Sequence, residues 1–117
     1  MKRPEDYRAF ADSSILTVAE ALKDRDFEAF NSHFDPSMSD GFSKEDFDND
    51  ISEEQDELGV LKHHWYMGKV KGNQEEYPGS VRFVYGGHFT HAEGLIIMCV
   101  HEHDGMLFLN EHVCYWD

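Results

Sequence analysis

Gly94-Leu95-Ile96-Ile97-Met98-Cys99-Val100-His101-Glu102-His103-Asp104-Gly105-Met106-Leu107-Phe108-Leu109-Asn110-Glu111-His112-Val113-Cys114-Tyr115-Trp116 is the stretch that decides the fold. Two runs of strand length, rich in β-branched and aromatic residues, meet at Asp104-Gly105, a pair that supplies the two positive-φ positions of a type I′ hairpin turn. Counting outward from that turn sets His103 against Met106, His101 against Phe108, Cys99 against Asn110 and Ile97 against His112. The other face then carries Val100 with Leu109, Met98 with Glu111, and Ile96 with Val113.

Upstream of this hairpin two further strands are expected, so that the four run roughly over 60–71, 80–91, 94–103 and 106–116. Gly72-Asn73 and Pro78-Gly79 separate the first from the second, and Glu93-Gly94 the second from the third. A turn centred on Glu93-Gly94 puts Val81, Phe83, Tyr85, Phe89 and His91 on the apolar face, and Arg82, Val84, His88 and Thr90 on the mixed one. Gly86-Gly87 inside a strand suggests a bulge or bend, which would invert the facing of residues 81–85.

The first half of the chain reads as helix. Ile15, Val18, Ala19 and Leu22 keep i, i+3, i+4, i+7 spacing behind Pro4, predicting a helix over about 5–23. Lys23-Asp24-Arg25-Asp26 interrupts the stripe, and Phe27, Phe30 and Phe34 resume it as a short helix closed by Asp35-Pro36. Residues 37–41 read as loop. Ser43 and Asp46 form a capping-box pattern, and Phe47, Ile51 and Leu58 space a third helix that Gly59 ends. The expectation is therefore one α+β domain over residues 1–117: two to three N-terminal helices packed on a curved four-stranded antiparallel sheet.

Composition narrows the partners. The formal charge is −14, with 17 acids against 6 bases in residues 1–60 and 7 against 4 in residues 61–117. So acidic a surface has no basic patch to exchange for the counterions of nucleic acid or an anionic membrane. Sixteen aromatics among 117 residues are enough to close one core. No apolar run reaches the roughly 18 residues of a bilayer span, and the first residues lead into an amphipathic segment, so a cytoplasmic location with Cys99 and Cys114 reduced is expected. The strand register sets the two thiols two rungs apart, which disfavours a disulfide.

Two constellations carry chemistry. The first is Glu111, placed by the register among Met98, Phe89, Leu109 and Val113, with His91, Tyr85 and Tyr115 on the same face. A carboxylate in apolar surroundings must find a partner or stay protonated, and catalytic acids and bases are often tuned that way. Glu111, Tyr85, His91, Phe89, Met98 and Tyr115 are thus the candidate ligand-binding residues, with Glu111 and His91 the candidate acid–base pair; the plain reading is that Glu111 sits where the helices leave the sheet wet. The second is histidine: seven of eight fall at or after residue 63. In His101-Glu102-His103 two imidazoles share a face about 6.5–7 Å apart, and His88, opposite Cys99, is a candidate third metal ligand; the plain reading is separate surface and interface histidines. There is no GxSxG, glycine-rich phosphate loop or HExxH, and no cofactor is expected. The mixed face keeps Ile97, Cys99, Phe108, Cys114 and Trp116, too apolar for water alone, which points to a homodimer through the sheet.

The order of elements, the phrase Ala21-Leu22-Lys23-Asp24-Arg25-Asp26-Phe27-Glu28-Ala29-Phe30 and the sequence Leu58-Gly59 followed by Leu61 resemble the NTF2-like group, the cystatin-like α+β fold. The resemblance implies a conical pocket between the helices and the sheet, and dimers through the sheet. Members range from isomerases to ligand carriers and protein-interaction modules, and the resemblance carries no catalytic residue across. The expected function is a dimer that binds a small apolar ligand or a protein partner. The alternative is a pocket enzyme of isomerase or hydrolase type using Glu111, and a third reading is a histidine-based metal-binding protein.

Overall fold

The computed structural model describes residues 2–36 and 43–116. Three helices, α1 (Pro4–Lys23), α2 (Phe27–Asn31) and α3 (Lys44–Leu58), precede four strands, β1 (Leu61–Lys71), β2 (Val81–Phe89), β3 (Glu93–His103) and β4 (Met106–Trp116). The strands form one antiparallel meander in the order β1-β2-β3-β4. The loop expected over residues 37–41 lies outside the described residues.

Helix ends follow the local chemistry. Pro4 opens α1, and the Asp6 carboxylate accepts the Arg3 N–H at 2.9 Å. In the break between α1 and α2, Arg25 takes a positive φ of 55°, and the Asp26 carboxylate caps α2 by accepting the Ala29 N–H at 3.1 Å. Ser43 and Asp46 make the reciprocal capping box at the start of α3. The α1 residues Ile15, Val18 and Leu22, with Phe30 of α2 and Phe47, Ile51 and Leu58 of α3, pack on Phe83, Tyr85, Ile96, Met98, Val100 and Leu109 of the sheet. The described helices thus lie on one sheet face; the other, open face carries no described helix, and the β1–β2 connection covers only its His101 end, where Tyr77 stacks.

The Asp104-Gly105 turn has the expected geometry, with φ of 52° and 78°. From there the register holds through Val100↔Leu109 and then shifts by one residue, so that Cys99 meets Glu111, Met98 meets His112 and Ile96 meets Cys114. Asn110 is the extra residue of a β-bulge. This corrects the facing expected for residues 111–116: Glu111, Val113 and Tyr115 lie on the open face, and His112 and Cys114 lie under the helices. The turn between β2 and β3 also falls earlier than Glu93-Gly94. It is centred on Thr90-His91, closed by the Phe89 N–H to the Ala92 carbonyl at 2.9 Å. Gly94 is a strand residue, and its missing side chain serves close approach, because a Cβ there would collide with the Tyr115 carbonyl. Gly86-Gly87 makes no bulge; β2 is continuous, and the irregularities lie in its partner β1, between Leu61 and His63 and between Tyr66 and Gly68. Val81, Phe83 and Tyr85 face the helices as expected.

One polar cluster ties α1 to the sheet. The Tyr85 hydroxyl donates to Asp12 Oδ1 at 2.6 Å, Arg8 Nε donates to the same carboxylate at 2.9 Å and 3.1 Å, and the Arg8 guanidinium lies 3.4 Å over the Tyr66 ring. Burial pushes the Asp12 carboxyl up, but the hydrogen bonds from Tyr85 and Arg8 outweigh it and hold the group below its usual range. A carboxylate with a depressed folded-state pKa stabilises the fold above its unfolded pKa, and that contribution is lost as pH falls through the folded value. Tyr85→Phe should therefore lower the unfolding free energy by about 1–2 kcal/mol at pH 7. In urea titrations the gap between wild type and variant should narrow below about pH 3.8; a gap independent of pH would mean that lost packing, not the Asp12 bond, is responsible.

Candidate functional site

The strand residues that point away from the helices include His63, Trp65 and Val70 of β1, Arg82, Val84 and His88 of β2, Glu93, Leu95, Ile97, Cys99, His101 and His103 of β3, and Met106, Phe108, Glu111, Val113 and Tyr115 of β4. Several are large, apolar and open to water: Trp65 is 47% exposed, Val70 58%, Leu95 38% and Tyr115 57%. Trp65 lies over Gly86, where a side chain would collide with its indole ring. Near the middle of this face, Arg82 and Glu111 flank Cys99 on the two neighbouring strands and join across it, with Nε to Oε1 at 2.9 Å and Nη2 to Oε2 at 3.4 Å. This two-pronged ion pair is fixed in geometry by the planar guanidinium, and the thiol beneath it is 1% exposed.

At one corner of the same face a buried carboxylate meets two imidazoles. After α2 the chain runs along the free edge of β4. The Leu109 N–H bonds the His33 carbonyl at 2.7 Å, and Phe34 makes a parallel bridge with Leu109. Alternation then separates neighbours: Phe34 packs on Phe30, with ring centroids 5.0 Å apart, and Asp35 passes to the open face. Asp35 Oδ2 lies 2.7 Å from His101 Nε2 and 2.9 Å from His103 Nδ1. His101 Nδ1 is held 2.8 Å from Asn110 Nδ2, and His103 Nε2 lies 3.3 Å from Oδ2 of the exposed Asp104. Tyr77 stacks on the His101 ring at 4.5 Å. The Asp35 and His101 side chains are 3% and 5% exposed, and His103 is 46% exposed.

The residues expected to gather around Glu111 are distributed over both faces. Tyr85, Phe89 and Met98 are buried under the helices. Glu111 and Tyr115 lie on the open face, and His91 sits exposed in the β2–β3 turn, its N–H bonded to the Leu58 carbonyl. The Glu111 carboxylate is satisfied by Arg82 and has no apolar enclosure. Of the three histidines considered together, His101 and His103 converge and His88 does not. It pairs with Glu93 at 3.1 Å, at the opposite end of β3, about 25 Å away for eight strand residues. Asp35 is the member that sequence reasoning missed, because Asp35-Pro36 reads locally as a helix terminator.

His112 occupies the position under the helices that Glu111 was expected to hold. Its ring meets Phe30 edge-on at 6.2 Å. A small cavity of about 20 Å³ beside it is lined by Ile15, Leu22, Glu54, Leu58, Phe89 and Cys114, space for about one water. Burial pushes the Glu54 carboxyl and the Cys114 thiol up. Cys99 and Cys114 are on opposite faces of the sheet, and both are free thiols.

No protein-family model matches this chain, and no curated protein and no solved structure shows significant similarity to it.

Burial holds the His112 imidazole down to about 4. The unfolded state then takes up a proton first, near pH 6.5, so stability is full above that pH, falls as pH drops toward about 4, and is flat below. This residue alone should remove up to roughly 3 kcal/mol between pH 7 and pH 4. Urea unfolding followed across that range should show a shallower loss for His112→Phe than for wild type; equal slopes would locate the acid sensitivity elsewhere, with His33, which burial also pushes down, the next candidate.

Proposed function

We propose that this chain is an NTF2-like domain that works as a homodimer, pairing the open faces of two sheets, and that it serves as a cytoplasmic protein-interaction module. The observation that carries this reading is the open face itself, where Trp65, Val70, Leu95 and Tyr115 expose apolar surface around the half-buried Val84, Ile97 and Val113. Monomeric proteins rarely leave so large an apolar patch in water. A four-stranded face of this length spans on the order of 700 Å², and with its His101 end covered by Tyr77 the pairing falls among the smaller, reversible interfaces, below the roughly 800 Å² per partner of the standard size.

Charge argues for a second copy as the occupant. Two chains of −14 repel wherever their acidic helices approach. The paired strand residues of the open face carry one fixed positive charge, Arg82, against Glu93 and Glu111, so this face escapes most of the repulsion. The element order of three helices followed by an antiparallel meander supports the NTF2-like assignment, and the two free thiols suit a reducing compartment. The cavity beside His112 holds about one water, which favours a protein partner over a small apolar ligand.

Equilibrium sedimentation of the 13.6 kDa chain should give twice that mass at micromolar concentrations. Association should strengthen with added salt, since screening relieves the repulsion between two acidic chains. Leu95→Glu combined with Tyr115→Glu should yield a folded monomer with an unchanged far-UV spectrum. A wild-type chain that stays monomeric in both low and high salt defeats the proposal.

A further inference from the structure

We propose that Asp35, His101 and His103 form a binding site for a divalent transition-metal ion of the zinc class. The site lies within one chain and stands whether or not two sheet faces pair. Three ligand atoms of the right types, one carboxylate oxygen and two imidazole nitrogens, all lie within 4.8 Å of one another. Around a zinc ion with bonds of about 2.0–2.2 Å, neighbouring ligand atoms are about 3.3–3.5 Å apart. The present separations of 2.7 Å and 2.9 Å are hydrogen-bond lengths, so the ion replaces the bridging protons and the side chains part by roughly half an ångström.

The outer contacts distinguish this corner from a chance meeting of polar side chains. A metal-bound imidazole normally donates its second ring N–H to a fixed acceptor, which sets tautomer and orientation. His101 has a hydrogen-bonded partner in that place, and His103 has an exposed carboxylate at ion-pair distance. His103 presents Nδ1 inward, and its Nε2 faces the Asp104 carboxylate. His101 presents Nε2 inward, and its Nδ1 faces the Asn110 amide. With the proton on Nε2, Asn110 donates to Nδ1. With metal on Nε2, the proton moves to Nδ1 and the Asn110 amide turns over to accept it through Oδ1, a change that uses the same side chain in the same place. Tyr77, stacked on His101, fixes the plane of the ring.

The charge balance favours a cation. One carboxylate and two neutral imidazoles bring a single negative charge to a divalent ion, and the surrounding chain carries −14. Imidazole with carboxylate suits zinc and its borderline neighbours better than magnesium or calcium, which prefer all-oxygen ligands. Among the described residues three ligands meet here, and the half-exposed His103 borders a groove lined by Pro36, Asp104, Met106 and Phe108, from which a water or small anion can reach the ion.

The test is titration of chelator-treated protein with Zn²⁺, and separately with Co²⁺, in a non-coordinating buffer at pH 7.5. The expected result is one ion per chain with micromolar or tighter affinity and intense visible Co²⁺ bands of a four-coordinate site. His103→Ala, a half-exposed residue whose loss the fold tolerates, should weaken binding by about 100-fold. Asn110→Ala, which leaves all three ligands in place, should weaken it by about 10-fold. His101→Ala and Asp35→Asn should abolish it, and circular dichroism of each variant separates loss of ligand from loss of fold. His88→Ala, at the far end of the sheet, should bind as wild type does. Absence of a stoichiometric site in wild type overturns the proposal, as does binding that His103→Ala leaves intact or that His88→Ala removes.

Discussion

One extra residue, Asn110, controls how the chemistry of this sheet is divided. Strand alternation makes facing a matter of parity, so a single inserted residue in β4 exchanges the faces of everything from Glu111 to Trp116. Without it, Glu111 would lie among Met98 and Phe89, where an unpaired carboxylate costs several kcal/mol or must hold its proton. With it, the helices receive His112, which is neutral at pH 7 and cheaper to bury, and Glu111 reaches Arg82 on the open face. The same residue also supplies the amide that bonds His101. Beside it, Leu109 turns its N–H to the His33 carbonyl and so docks the strap that delivers Asp35.

Parity explains which parts of the fold were legible in the sequence. The β2–β3 turn lies three residues before Glu93-Gly94, and His88 therefore faces Glu93 in place of Cys99, six positions away. Six is even, so Val81, Phe83 and Tyr85 keep the facing expected of them although every partner differs. The bulge moves partners by one and inverts facing although the turn that anchors the count is right. Asp104-Gly105, the Ser43-Asp46 box and the α1 stripe were readable because each is settled within a few residues by backbone preference or hydrophobic spacing. A bulge has no such local signature in Leu109-Asn110-Glu111, where no glycine marks it.

The polar corner was half legible for a related reason. His101-Glu102-His103 fixes two imidazoles on one face by alternation alone, whatever the register. Asp35 is 66 positions from His101 and reaches it only because the chain leaving α2 is pinned along the edge of β4. That contact depends on tertiary structure at every step, and a local reading of Asp35-Pro36 can report only the end of a helix. The Asp12–Tyr85 bond, which links positions 73 apart, escaped for the same reason.

Three of the carboxylates drawn partly or wholly out of water, Asp12, Glu111 and Asp35, differ in how they are balanced, and that balance decides what each can do. Asp12 and Glu111 are answered by Arg8 and Arg82, whose guanidinium groups keep their protons at any ordinary pH, so these pairs are fixed structural charges. Asp35 is met by two imidazoles, whose inward nitrogens are donors when protonated and ligands when not. An arginine pair cannot exchange its proton for a metal ion, whereas an imidazole pair can. Glu111 lost its claim to chemistry by gaining a permanent partner, and Asp35 keeps one because its partners can change state. The reactive corner of the sheet is therefore set by the type of counter-group, more than by how deeply the carboxylate is buried.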